Sequence, residues 1–585
     1  MAHRGPDGRG IWHDDEVGMA FRRLAIIDLD ERSNQPFHLD DLHLVFNGEI
    51  YNYIELRSEL QRLGHVFVTE GDAEVLLHAW AAWGDGALDR LNGMFAFAVW
   101  DATSRKLVLA TDRFAEKPLF VHCRPGQLAF ASDIRALRAA DGTIGIPDRR
   151  ATNAFLALAV MPKLPRTFFV DVQRLPPAHV ASWDGSQLHM RRWWQPSEVE
   201  VPRHPTDAAD ELRNLLSDSV SLRLRSDVPV GTSLSGGVDS SSVVAVSSKL
   251  VGDHRRHAFT ATFPSFERDE FRYANAVSEA TDVKEHHAVM PQLDELLRDV
   301  EDLVASQEEP FVSTSIYAQR RVMEAARQHG VAVLLDGQGA DELFAGYPDS
   351  RGWALRSRGL RAALSGVTED RSLIELVAGA YAAGRLPRKV AVRSRMRNAS
   401  PYFSRHLAGL AAREPELSPD WDDYGTPLRR ELMDQAFRSS LPDLCRFVDR
   451  NSMAFGLEVR LPFLDYRIAE FGLSASAELL YRDGVTKRVL RDAMRGLVPD
   501  TVLDRRDKIA YETPEERWLS SHEGRSWIAD VLLDPSSGTG IDREEVEKDL
   551  AKSSWRDVGA IWRAVNVELW LRAWSSNQAR PKTTV

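Results

Sequence analysis

Ser235-Gly236-Gly237-Val238-Asp239-Ser240 (SGGVDS) follows an apolar, β-branched run over 228–234 and precedes a helix-like run over 241–246. Strand, glycine loop, helix is the geometry that presents backbone N–H groups and a helix N-terminus to phosphates. No Gly-Lys-Ser/Thr closes the run, so it is not a Walker A loop. Its glycines let a phosphate approach the backbone, Ser235 and Ser240 offer hydroxyls, and Asp239 can hold a magnesium ion. Such a loop suits an enzyme that splits ATP between its α- and β-phosphates and grips pyrophosphate. A second loop of the same form ends the apolar run 331–335: Asp336-Gly337-Gln338-Gly339-Ala340-Asp341-Glu342-Leu343-Phe344. Two such loops at one edge of a sheet could flank one nucleotide, with Asp239 facing Asp341 across it. Either aspartate alone reads best as a helix N-cap. Both together, on paired glycine loops, read as a magnesium site.

Around these loops strands and helices alternate. The pattern predicts helices over 207–223, 240–250, 270–281 and 315–329, and strands over 228–234, 258–263, 285–289 and 331–335. Alternation of this kind argues for a parallel sheet covered by helices. In such sheets ligands sit beyond the carboxyl ends of the strands, where Ser235 and Asp336 fall. Residues 1–195 read differently, as mostly strands (42–46, 95–100, 107–111) with helices at 53–63 and 73–83. The polar, proline-bearing stretch 196–206 reads as a linker. A second domain is expected over 207–575, mainly helical after about 350, and 576–585 reads as a loose tail.

A chain of 585 residues accommodates two or more domains. Its 43% hydrophobic and 27% charged residues are ordinary for a globular protein. The net charge of -12 argues against nucleic acid as a partner. Two cysteines, Cys123 and Cys445, make no disulfide framework and no CxxC, so a reducing cytoplasm is the simplest compartment. No apolar run approaches a membrane span, and the opening residues are not a signal peptide.

Four sets of residues make the chain resemble the glutamine-dependent asparagine synthetases and their amidotransferase relatives. They are SGGVDS; DGQGADELFAGY at 336–347; DRNSMAFGLEVRLPFLD at 449–465; and an N-terminal series. That series is HRGPDG at 3–8, Arg23-Leu24-Ala25-Ile26, NGEIYN at 47–52, GDAE at 71–74, LNGMFAFAVWD at 91–101 and DRFAEKPLF at 112–120. The likeness runs over nearly the whole chain. It implies an α+β sandwich of the N-terminal-nucleophile type. An α/β parallel-sheet domain of the ATP-pyrophosphatase (adenine nucleotide α hydrolase-like) type would follow, with a helical C-terminal part.

The resemblance also implies roles. Arg23 and Asp72 would hold the α-carboxylate and amine of glutamine, Glu49 would touch it, and Asn47 and Gly48 would form an oxyanion hole. An arginine forks onto a carboxylate, and N–H donors stabilise a developing oxyanion. Taken alone, NGEIYN reads as a turn. Leu234, Ser235, Gly236, Gly237, Asp239, Ser240, Ala261, Asp336, Gly337 and Gln338 would line ATP and pyrophosphate. Asp239 and Asp341 would hold magnesium. Lys508, otherwise a solvated surface charge, would stabilise the phosphates during adenylation. Arg450, Glu458 and Arg460 are ion-pair or acyl-site residues. The substrates implied are ATP, glutamine or ammonia, and a carboxylate, most simply aspartate. A homodimer is compatible with the family.

Two departures stand out. The family's glutaminase nucleophile is a cysteine at the mature N-terminus, whose own α-amine is the base. Here Ala2 stands there, and the chain opens on a motif that in the family follows a first strand and helix, roughly 25 residues. Loss of a strand would expose sheet edges and core. As written, the polypeptide is not expected to hydrolyse glutamine, and Cys123, which lacks a free amine, cannot substitute. Either the start is misplaced or the protein is a natural variant fed by free ammonia or another amine; the opening in mid-motif favours the first. The second departure is Gln338, where asparagine-forming members usually carry glutamate. A glutamine cannot accept a proton from incoming ammonia, which puts aspartate as acceptor in question. The leading expectation is therefore a carboxylate-adenylating amide synthetase. Its rivals are a secondary-metabolite or β-lactam-forming relative with the same adenylation chemistry, and a non-catalytic nucleotide-binding protein.

Overall fold

In β5 (Gly93–Asp101), Phe95, Phe97 and Val99 face one way and Ala96, Ala98 and Trp100 the other, the period-two alternation of a strand. Both faces are covered, which is why the strand is apolar almost throughout. The computed structural model describes residues 1–251, 257–357, 400–403, 425–506, 512–552 and 554–575. The N-terminal half contains β1 (Gly8–His13), β2 (Gly18–Arg23), β3 (Phe37–Leu39), β4 (Leu42–Ile50) and β5. They are followed by β6 (Lys106–Thr111), β7 (Phe120–Arg124), β8 (Gln127–Ala131), β9 (Gln173–Arg174), β10 (His179–Trp183) and β11 (Leu188–Arg192). Six of them form one sheet in the order β11-β10-β6-β5-β4-β3. One face of that sheet packs on α1 (Tyr53–Arg62) and α2 (Asp72–Trp83) through Phe46, Leu56, Leu76, Phe95 and Phe97. The other packs through Ala96, Ala98 and Leu109 on Met19 of β2 and Val121 of β7. The second layer is split into a β1-β2 pair and a β8-β7-β9 sheet. Helices over Ile134–Ala140 and Arg149–Leu158 add to the two that the sequence predicts.

The C-terminal half opens with α3 (Pro205–Arg223). Proline is tolerated at the first helical position, so this helix starts two residues earlier than the pattern suggests, inside the expected linker. A five-stranded parallel sheet follows in the order β14-β13-β12-β15-β16. Its strands are β12 (Val230–Ser233), β13 (His257–Ala261), β14 (Glu285–Val289), β15 (Val333–Leu335) and β16 (Glu458–Arg460). The intervening helices are α4 (Val238–Leu250), α5 (Phe271–Ala280), α6 (Leu293–Gln307) and α7 (Ser315–Gln328). Helix α6, not predicted, is opened by a capping box of Gln292 and Glu295. The chain builds outward from β12 to β14 on one side, then returns to β15 on the other. The order thus reverses between β12 and β15, the point at which open α/β sheets bind ligands. Strand β16 comes from the region expected to be helical.

The halves are joined by buried ions. Arg4 forks onto Asp449 at 2.8 and 2.9 Å and reaches Asp133 at 3.2 Å. Arg450 pairs with Glu308 at 2.7 Å and with Asp133. Glu308 also accepts the N–H groups of Ile134 and Arg135. All these side chains but Arg135 are buried. Removing one partner of a buried pair costs about 3–5 kcal/mol. Arg4→Met is expected to lower the urea midpoint accordingly; an unchanged midpoint would show that these pairs contribute nothing to holding the halves together.

Candidate active site

The loop after β12 is tied by its own serines. The Ser235 N–H donates to Ser240 Oγ at 3.1 Å, the two hydroxyls lie 3.0 Å apart, and the Gly237 N–H donates to Ser235 Oγ at 3.3 Å. Gly237 caps α4, so Asp239 sits within the first turn rather than at the cap. The loop after β15 leads through Gly339, likewise the cap, into α8 (Ala340–Leu343), with Asp341 in its first turn. The N-cap role considered for each aspartate is therefore filled by a glycine. The loops touch: a Cβ on Gly337 would lie 2.5 Å from Ser240 N and 2.7 Å from the Asp239 carbonyl carbon. This close approach requires a glycine.

Lys487 occupies the space between the aspartates. Its Nζ lies 2.5 Å from Asp239 Oδ2 and 2.6 Å from Asp341 Oδ1. Burial works against its charge, but the two carboxylates outweigh it and hold the ammonium above the usual lysine value. Lys487 adopts a left-handed backbone, φ 53°, just before α10 (Arg488–Ala493). Such a conformation in a non-glycine residue gathers at functional sites. A cavity of about 370 Å³ opens over this junction, lined by Ser235, Gly237, Asp239, Ser240, Asp336, Gly337, Gln338 and Asp341. Arg491 and Arg505 line it too. Arg505 pairs with Glu270 at 2.6 Å and reaches Gly236 O at 3.4 Å.

Of the residues expected around ATP, three stand off the cavity lining. Leu234 is fully buried, its N–H donating to Phe259 O at 2.9 Å. Gly236 faces the backbone of Ala274, and Ala261 packs into the core. Lys508 lies outside the described residues. Lys487, Arg491 and Arg505 were not anticipated. Lys487 and Arg488 at the start of α10 carry the charge a helix N-terminus disfavours, and that mismatch was the available signal.

The N-terminal candidates line a second cavity, about 450 Å³, that brings together Arg23, Asn47, Gly48, Glu49 and Asp72. Asn47 and Gly48 do not form a turn; β4 runs straight through them. Gly48 has φ 144°, and a Cβ there would overlap the Met94 carbonyl of β5. The Asn47 amide donates to Ser132 Oγ at 3.3 Å. Asp72 begins α2 and accepts the Ile50 N–H at 2.8 Å. Burial pushes its carboxyl up to about 6, and burial beside Asp72 and Glu458 raises Glu49 as well. Arg23 donates to the carbonyls of Ile27, Asp28 and Asp30. The cavity is walled by β2 and β8, and among the described residues β2 pairs only with β1 and β8 only with β7, so each of the two strands has one unpaired edge. Neither cysteine lies here: Cys123 is exposed on β7 and Cys445 is buried in α9 (Leu441–Met453).

Comparison with known proteins matches residues 211–572 to the asparagine synthase family model and residues 1–194 to a glutamine amidotransferase domain. The chain belongs to the asparagine synthase family. It is 29% identical to asparagine synthetase [glutamine-hydrolyzing] 1 of Bacillus subtilis (strain 168), over 97% of this chain and 93% of the relative. It is 32% identical, with the same coverage, to a putative asparagine synthetase [glutamine-hydrolyzing] of Mycobacterium tuberculosis (strain ATCC 25618 / H37Rv). A Gibberella zeae amidase, chry2, is 26% identical over 88% of this chain and 84% of the relative. The asparagine synthase-family chain described here is therefore an ATP-dependent amidotransferase and C–N ligase.

Gly337→Ala forces the two loops apart. Overpacking of this size costs about 1–3 kcal/mol, equivalent to roughly five- to hundredfold in ATP affinity. Calorimetric titration with ATP checks it; wild-type affinity would mean that the loops need not touch.

Proposed function

We propose that the cavity between the glycine loops adenylates a substrate carboxylate, aspartate in the simplest case, and passes the acyl group to ammonia. The observation that carries this reading is the Asp239–Lys487–Asp341 bridge at the switch point, between two loops built for phosphates. A carboxylate oxygen of the substrate attacks the α-phosphorus of ATP, the bond to the bridging oxygen breaks, and pyrophosphate leaves against the Ser235–Ser240 loop. The ammonia nitrogen then attacks the acyl carbon, AMP departs with the bonding electrons, and the nitrogen loses a proton to give the amide. Lys487, Arg491 and Arg505 supply positive charge around the phosphates. Asp239 and Asp341 suit magnesium, which takes few carboxylates and completes its shell with phosphate oxygens and water. When bound, it would neutralise phosphate charge.

The N-terminal cavity is read as a glutamine site: Asp72 and Glu49 meet the α-ammonium, Arg23 the α-carboxylate, and Asn47 with Gly48 the reacting carbonyl. This assigns 1–195 to a glutamine-handling half, 196–206 to the connection and 207–575 to the synthetase half. Among the described residues no helix is long and apolar enough to cross a membrane. The cytoplasm, with its reducing conditions, suits two free cysteines.

A second reading, an amide synthetase acting on another carboxylate, is favoured by Gln338. It lines the ATP cavity as a neutral carboxamide and cannot take a proton from incoming ammonium. AMP and pyrophosphate release with ammonium and a panel of carboxylates decides between the two. Aspartate-dependent release supports the first, release only with another acid supports the second, and silence with every acid in a chain that binds ATP overturns both.

Lys487→Met is expected to lower AMP formation at least about hundredfold with the fold intact by circular dichroism. A rate within a few-fold of wild type would remove Lys487 from the chemistry. The Asp72 carboxyl, held up by burial, takes its proton as pH falls through about 6. Below that, the partner of the α-ammonium is lost and glutamine affinity should fall by up to about tenfold per pH unit. Calorimetry between pH 5 and 8 reads this directly; a flat profile contradicts the assignment.

A further inference from the structure

The SGGVDS loop is held by segments far from it in sequence. Gly236 has φ 84°, and a Cβ there would lie 2.7 Å from Ala274 N and 3.0 Å from both Glu270 O and Tyr273 Cβ. The start of α5 is therefore packed against the loop backbone, which only a glycine permits. Arg505 comes from the other end of the domain, just after the helical turn Asp500–Leu503. Arg491 ties that turn to the start of α10 by donating to Leu503 O at 2.6 Å and to Thr486 O at 2.9 Å. The Arg505 Nη1 donates to Glu270 Oε1 at 2.6 Å and to Gly236 O at 3.4 Å. The guanidinium carbon stands 4.0 Å from the centre of the Tyr273 ring. Arg505 and Glu270 both line the cavity between the glycine loops, yet their side chains keep only 7% and 13% of their exposure.

Stability gives a poor reason for this pair. Desolvation offsets most of the attraction between two ions taken out of water. Orientation gives a better one. A carboxylate and an aromatic face together hold a long side chain in one place, and an arginine fixed beforehand loses less freedom when a ligand arrives. Its planar fork of donors matches phosphate oxygens. Standing alone in the lining, Glu270 would repel a polyphosphate; bonded to Arg505, it aims the fork. Of the three cations in the lining, Lys487 lies between Asp239 and Asp341, and Arg491 donates to Thr486 O and Leu503 O. Arg505 is the one that touches the SGGVDS backbone, at Gly236.

We infer that Arg505 binds the pyrophosphate part of ATP, and that Glu270, with Tyr273, is a positioning residue that holds the Arg505 guanidinium against the SGGVDS loop. This rests on the ATP reading above. Arg505 then contributes to the β- and γ-phosphates and not to the AMP part of the nucleotide, and Glu270 acts only through Arg505.

The test is calorimetric titration of the full chain with magnesium pyrophosphate and, separately, with AMP. Arg505→Gln is expected to weaken pyrophosphate at least about tenfold and to leave AMP within about twofold of wild type. Glu270→Leu removes both the charge and the bond and should weaken pyrophosphate at least about fivefold, again sparing AMP. Placed on top of Arg505→Gln, it should add less than about twofold, since a residue that acts through another has nothing left to act on. Tyr273→Leu takes away the aromatic face and serves as the second variant should Glu270→Leu fail to fold; it too should weaken pyrophosphate selectively. A purely structural role would lower the melting temperature and weaken both ligands alike, overturning the inference. Undiminished pyrophosphate affinity in Arg505→Gln would overturn it, as would a full Glu270→Leu effect in that background. Failure of wild type to bind pyrophosphate or ATP would sink the ATP reading as well; binding of both in wild type and variants alike sinks this inference alone.

Discussion

Two carboxylates from different loops share the single ammonium of Lys487, and the shape of the cavity between the glycine loops depends on that sharing. Asp239 and Asp341 would otherwise repel across a gap that Gly337 makes small by carrying no side chain. The lysine resolves the repulsion without filling the cavity, because its left-handed backbone brings it in from the edge, ahead of α10. The arrangement keeps positive charge where a polyphosphate would arrive, with Arg491 and Arg505 beside it. A site assembled before its ligand arrives incurs no reorganisation at the moment of reaction.

A comparable economy of strands governs the seam between the halves. The residues that cross it are charged and buried: Arg4, Asp133, Glu308, Asp449 and Arg450 in one network, Glu49, Glu458 and Arg460 in another. Apolar side chains of similar volume would hold the seam at least as firmly. Ions hold it in one register, since each carboxylate has to find its own guanidinium. The register matters here because β16 belongs to the sheet that carries the glycine loops, while the Glu458 side chain it bears lines the opposite cavity.

The glycine loops were legible because their signal is local: an apolar run, two glycines, an acid and a helical period lie within a dozen residues. The parallel sheet was legible for the same reason, four of its strands being separated by helical patterns. The fifth was not. Glu458-Val459-Arg460 has a charge at each end and only one apolar residue between, and its partner β15 lies far away in sequence. The charges belong to the seam, so tertiary context overrides local propensity. Asn47-Gly48, taken alone, points to a turn. The pair is a strong turn signal, yet the strand needs that glycine to pass the Met94 carbonyl. Lys487 has no motif of its own. Only the fold shows that the turn before α10 ends between Asp239 and Asp341.

Both cavities are lined by charges of both signs, arranged differently in each. In the N-terminal one Glu49, Asp72 and Glu458 share a lining with Arg4, Arg22, Arg23 and Lys117, and burial leaves Glu49 and Asp72 reluctant to ionise. An amino acid's ammonium entering there would relieve the carboxylates that repel one another, which offsets the cost of taking it out of water. In the cavity between the glycine loops Lys487 stands between Asp239 and Asp341, with Arg491 and Arg505 beside it. Asp239 and Asp341 would hold a divalent cation arriving with a polyphosphate, and Lys487, Arg491 and Arg505 would face the phosphates.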